Sequence, residues 1–205
     1  MSLQNRVNPE GVICFSESRG TLMGNRGCLH DHQKQIVASS KRDAWVSCAL
    51  DFKSIRRQLM NPGSYTELFF LDEATAFAAG HRPCATCRRD RYVAFMSAWG
   101  MGNCNGARVL ATEVDKLMKR DRLPTARKNV ATLEGIPNGV MVKTADGTCH
   151  LVMNGCLLPW SFQGYGKPLA IDSFEGPFLL LTPQSTVNAI RSGYEVGLHA
   201  SCQAS

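Results

Sequence analysis

The run from Tyr65 to Tyr92, YTELFFLDEATAFAAGHRPCATCRRDRY, constrains the fold more tightly than any other part of the chain. Its apolar start, Tyr65 to Leu71, has the length and aromatic content of a buried strand. Asp72 is placed as an N-cap, its carboxylate facing the free amides of the Ala-rich stretch EATAFAA. Gly80 ends that helix in a left-handed cap. Pro83 then sets φ just ahead of Cys84 and Cys87, at the entry to a second helix. In that helix Tyr92, Phe95, Met96 and Trp99 recur at three- and four-residue spacing and form a core stripe.

Cys84 and Cys87 are the chemically loaded part of this run. A Cys-x-x-Cys turn lets two sulfurs approach one tetrahedral Zn²⁺ at about 2.3 Å each. Arg82, Arg88 and Arg89 favour the thiolate form. A redox pair uses the same spacing but wants a different setting than Ala85-Thr86 between the cysteines, and a pair of unligated thiols is the third reading. Two more ligands are needed to close a zinc site. The upstream segment MGNRGCLHDHQ offers Cys28, His30, Asp31 and His32, and the apolar run WVSCAL offers Cys48.

The chain has nine cysteines, an odd count that argues against a closed disulfide framework. No apolar run approaches the roughly 18 residues of a membrane span. The opening MSLQNRVNPEG has no basic-then-apolar leader, so a cytoplasmic location is expected. Thiols in that compartment serve packing, metal or chemistry. Cys14, Cys104, Cys149, Cys156 and Cys202 lie singly and read as packing or surface thiols.

Charge is unevenly spread. Residues 1–128 carry 20 Lys and Arg against 12 Asp and Glu, whereas residues 129–205 carry 3 against 5. A basic half of this kind draws phosphate-rich partners through counterion release, although a solvated basic face has the same composition. Arg56, Arg57, Arg88, Arg89 and Arg91 are the candidate nucleic-acid contacts. They would position a phosphate backbone without reading sequence.

The Gly/Asn-rich stretch WGMGNCNGAR, Trp99 to Arg108, is read as a loop dividing a basic region, 1–107, from a β-richer one, 108–205. The second region opens with a helix in ATEVDKLMKRDRL, where Thr112 and Asp115 have capping-box spacing. Asp146-Gly147 and Asn154-Gly155 between apolar runs predict a three-stranded meander. A strand in GPFLLL then leads to a helix with Thr182 as N-cap, Pro183 at its first position and Gly193 beyond its end. The expected fold is α+β: a small zinc domain followed by a β-meander domain with flanking helices.

The segment of residues 65–90 resembles the second half of the Ada-type metal-binding domain, found in adaptive-response DNA repair proteins. The shared elements are the aromatic strand, the short helix ending in Ala-Ala-Gly, and the Arg-Pro-Cys-x-x-Cys turn. The resemblance implies a treble-clef-like zinc domain in which Cys84 and Cys87 are ligands, and it carries an association with DNA. A shorter form of the family takes a His and a Cys from further upstream, which points to His30 and Cys48, with Cys28 and His32 as substitutes. The family's other cysteine pair would fall in FKSIRRQLMNPG, which has no cysteine. That half carries the methyl-accepting cysteine, so methyl transfer is not implied and the zinc is expected to be structural.

The leading functional expectation is a zinc-stabilised module that binds nucleic acid through its basic region. A second is an enzyme with its site between the two regions, drawing on His81, His150, Asp172, Glu175 and the loop WSFQGYGK. No Ser-His-Asp order, HExxH motif or telling carboxylate pair supports it. A third is a protein-interaction module using the β-rich region.

Overall fold

A computed structural model describes residues 2–54 and 58–203. Within the described residues, two sheets and four α-helices make a mixed α+β architecture. The first sheet holds β1 (Gln4–Val7), β2 (Ile13–Phe15), β3 (Leu22–Asn25), β4 (Val46–Cys48), β5 (Leu68–Phe70) and β6 (Arg82–Pro83), in the order β2-β1-β5-β3-β4-β6. The pairs β1/β5 and β4/β6 are parallel and the others antiparallel.

Between β5 and β6 lies α1 (Glu73–Ala78), and every one of its residues is buried. Asp72 caps it by accepting from the Thr75 amide at 2.9 Å, as expected, and Gly80 follows it at φ +80°. Apart from Glu73 and Thr75 the helix is apolar, and small alanines let it be enclosed on all sides. Ala76 and Ala79 pack with Val7, Leu29, Leu68 and Phe70 of the first sheet's core. Ala74 and Ala78 meet Met141, Leu151 and Leu158 of the second. Phe77 enters a third cluster with Phe95, Val142 and Tyr194.

After the cysteine turn, α2 (Arg89–Asn103) buries Phe95 and Trp99 and leaves Tyr92 and Met96 partly covered. It overruns the loop expected from Trp99 onward. Its glycines serve close packing instead: a Cβ on Gly102 would lie 2.4 Å from the Asn188 carbonyl oxygen, and one on Gly100 2.6 Å from that of Ala107. Next, α3 (Ala111–Asp121) is capped differently from expectation. The Leu110 amide donates to Glu113 at 2.9 Å, while Asp115 turns to Arg82.

The second sheet holds β7 (Asn129–Val130), β8 (Met141–Lys143), β9 (Cys149–Met153), β10 (Cys156–Ser161), β11 (Gly164–Tyr165), β12 (Leu169–Ala170) and β13 (Phe178–Leu180). The meander β8-β9-β10 is antiparallel as expected. Asn154 and Gly155 turn its second hairpin with φ of 49° and 72°. Finally α4 (Gln184–Arg191) begins one residue later than expected, because the Thr182 hydroxyl accepts from the Met141 amide instead of capping the helix.

The boundary expected near 107/108 falls between α2 and α3. Phe95 and Trp99 of α2 share one cluster with Val114 and Met118 of α3 and with Val152, Leu157 and Phe178 of the second sheet. None of the described helices is long and apolar enough to cross a membrane.

Candidate metal centre

Strand pairing brings the cysteines together. The parallel register of β4 and β6 sets Val46 beside Arg82 and Ser47 beside Pro83, so the next residues on the two strands are Cys48 and Cys84. The Cys84 amide extends the ladder by donating to the Ser47 carbonyl at 2.9 Å. The chain then turns, with the Arg88 amide donating to the Cys84 carbonyl at 3.2 Å, and returns Cys87 to the same place. The three sulfurs lie within 4.8 Å of one another. A tetrahedral zinc with Zn–S bonds of about 2.3 Å sets its sulfurs about 3.8 Å apart, a separation inside that limit.

The surroundings favour negative charge on Cys84 and disfavour it on the other two sulfurs. The Ala49 amide donates to Cys87 Sγ and the Thr86 amide to Cys84 Sγ, each at 3.4 Å. A hydrogen bond from the Cys48 thiol is the main cause that holds Cys84 down to about 4. Giving that bond, and then burial, push Cys48 up, and burial raises Cys87. Three sulfur donors are soft and suit thiophilic metals, zinc, Cu(I) and iron–sulfur iron among them.

A polar layer fixes the turn from behind. Arg88 donates to the Ser47 hydroxyl at 2.8 Å and to Glu73 at 2.7 Å. Glu73 also accepts from Arg91, from the Tyr194 hydroxyl at 2.9 Å and from the Gly197 amide at 2.8 Å. Arg82 meets Asp115 through two contacts of 2.7 Å.

The structure brings together Cys48, Cys84 and Cys87 but leaves His30 out of the cluster. His30 is buried elsewhere, with Nδ1 2.6 Å from the Thr66 hydroxyl and Nε2 3.3 Å from the Asn61 carbonyl. The Asn61 carbonyl can only accept, so Nε2 carries the proton, and in the neutral ring Nδ1 then accepts from the Thr66 hydroxyl, whose oxygen also accepts from the Leu29 amide. Both ring nitrogens are thereby committed to holding a loop. Cys28 and His32 are not in the cluster either: Cys28 Sγ lies 3.7 Å from the His30 carbonyl, and His32 is exposed.

The basic residues are also redistributed. Arg88 and Arg91 were expected to face phosphate, yet both are engaged on Glu73, because a buried carboxylate needs charged partners. Arg89 is exposed, with its guanidinium 5.7 Å from the Tyr92 ring centre. Arg56 and Arg57 lie outside the described residues. Of the enzyme candidates, His81 is fully buried between Trp45 and Phe70, and His150 is buried on β9 against Phe174. Trp160 donates to the Thr75 hydroxyl, which makes it a packing residue.

Glu73 and Glu67 were missed as central residues. The signal for each was a carboxylate set in a run that is otherwise apolar. Neither the family models, the curated proteins nor the solved structures include a match to this chain.

Proposed function

We propose that Cys48, Cys84 and Cys87 hold a structural zinc ion in an Ada-like domain, and that this domain binds nucleic acid through its basic surface. The observation that carries the metal reading is the convergence of three sulfurs from two separate segments to within 4.8 Å. Three thiolates so close together would repel one another, whereas a cation bound among them turns that repulsion into cross-linking. The ion would tie the end of β4 to the start of α2, and three protein donors leave one tetrahedral position for a further donor.

The nucleic-acid reading rests on the excess of basic residues in 1–128 and on those that face solvent. Lys41, Arg42, Lys53, Arg89 and Arg108 are exposed. Such side chains bind phosphate through counterion release, with a steep salt dependence.

Metal analysis of purified protein tests the first part: about one zinc per chain is expected, lost in Cys84→Ser and in Cys48→Ser. Titration of a labelled oligonucleotide at increasing salt tests the second. Affinity that does not change with salt, or no binding at low salt, would remove the nucleic-acid role while leaving the zinc site standing.

A further inference from the structure

Beside the sulfurs lies a cavity of about 420 Å³. The strand register explains where it sits. Met23 of β3 pairs with both Cys48 and Phe69, so Cys48, Met23 and Phe69 form one row across β4, β3 and β5. Strand alternation turns this row away from Leu68 and Phe70, which belong to the buried core. Phe52 and Tyr65 supply aromatic walls, and Leu50 and Leu59 line the cavity while remaining 53% and 38% exposed.

One lining residue does not fit an apolar hollow. Glu67 is only 3% exposed, and its Oε2 accepts from the Met60 amide at 2.8 Å. Its Oε1 is buried and has no hydrogen-bond partner among the described residues. A carboxylate oxygen shut away from water without a donor is costly, and native proteins keep few of them. Glu67 also adjoins a cavity of the size that small-molecule sites have.

We infer that this cavity binds a planar aromatic group presenting paired N–H donors, such as the edge of a guanine or an arylamidine, with those donors on Glu67. The flat body follows from the aromatic lining of Phe52, Tyr65 and Phe69, of which the Phe69 ring already carries the Arg6 guanidinium 4.9 Å from its centre and the Phe52 ring the Lys53 ammonium at 5.4 Å. The donor pair follows from the carboxylate, which is an acceptor only: Oε1 has no partner among the described residues and Oε2 keeps a second lone pair beside the Met60 amide, so a planar partner can place one N–H on each. An anionic group is excluded from the cavity itself by the same carboxylate. The inference rests on the metal reading only for the wall formed by Cys48 and Cys87.

Amide spectra of the isotope-labelled full chain, recorded during titration with benzamidine and with guanosine, test this, with zinc content measured on the same samples. Both compounds are expected to produce saturable shifts at Leu50, Phe52 and Phe69. Glu67→Gln keeps an acceptor for the Met60 amide but loses the charge, and should weaken benzamidine binding about tenfold or more. Its melting curve checks that it folds. Leu50→Trp, at an exposed position, should obstruct the cavity and lower affinity without touching Glu67. No saturable shift, equal affinity in Glu67→Gln, or equally tight binding of the non-planar butylamine would overturn the inference. Zinc present without ligand binding defeats the ligand site alone, and binding without zinc defeats the metal centre alone. A thymine oligonucleotide that gains affinity when one thymine becomes guanine makes an unpaired base the source. Guanosine binding without that gain makes it a free molecule.

Discussion

Arg82 and Asp115 face each other through two contacts of 2.7 Å, with side chains only 6% and 11% exposed. Arg82 belongs to β6, two residues before the first cysteine of the turn, and Asp115 to α3. Their pairing locks the candidate metal turn onto a helix from the other half of the sequence. A buried pair of this kind contributes little over an apolar replacement, but breaking it on one side strands a charge.

Asp115→Ala should therefore destabilise the fold by about 3–5 kcal/mol, because among the described residues the Arg82 guanidinium then keeps the Pro83 carbonyl and the Tyr92 ring and no carboxylate. Replacing both partners together, Arg82→Met with Asp115→Leu, should recover most of that loss. Urea denaturation of the single and double variants measures both effects.

Zinc removal should lower the melting temperature, since a bound structural ion contributes to folding free energy. Chelator should act on the wild type and have no effect on Cys84→Ser, which already lacks the ion. His30→Ala should keep the metal yet melt lower, because it abandons Thr66 and Asn61 rather than a ligand position. Metal content and calorimetry on the same samples separate the two behaviours.

Acid should weaken the fold before the carboxylates protonate. Burial, and then the charges of Arg26 and Arg122, hold His81 well below its ordinary value. Its Nε2 accepts from Arg26 Nε at 3.2 Å, which requires the neutral ring. The unfolded chain takes up that proton near pH 6.5 and the folded chain does not. The contribution is complete above about pH 6.5 and is lost below it, at up to about 1.4 kcal/mol per pH unit. Burial lowers His150 as well, so it adds to the same slope. Urea midpoints followed from neutral to mildly acidic pH should fall, and His81→Phe should flatten part of that fall while lowering stability throughout.

Gly102→Ala should force α2 away from α4, since the added carbon would sit 2.4 Å from the Asn188 carbonyl oxygen and 2.9 Å from the Ser192 hydroxyl. Overpacking at such a contact costs about 1–3 kcal/mol. Met101→Ala, next to it but 61% exposed, should leave the melting curve almost unchanged. Paired thermal melts check the contrast.

The local order around the cysteine turn was legible from sequence: the Asp72 cap, the Ala-rich helix, its Gly80 stop, the apolar stripe of α2 and the later meander. Each of these depends on neighbours within a few residues, so the chain states them directly. Gly100 and Gly102 misled because a glycine that breaks a helix and one that admits a second chain look identical until the second chain is in place. Cys48 was readable as a candidate ligand, and so was His30, whose two ring nitrogens are held by Thr66 and Asn61, residues that no local pattern around His30 announces.

Sequence alone determined the helices, the turns and the pair of sulfurs separated by two residues, because these are short-range consequences of side-chain shape and backbone freedom. Tertiary structure alone decided which distant groups meet: Cys48 with the turn, Arg88 and Arg91 with Glu73, and Glu67 with an apolar hollow. The register of β4 on β6 and the burial of α1 between two sheets fix those meetings. Such contacts depend on the packing of residues far apart in the chain, which no local pattern of sequence records.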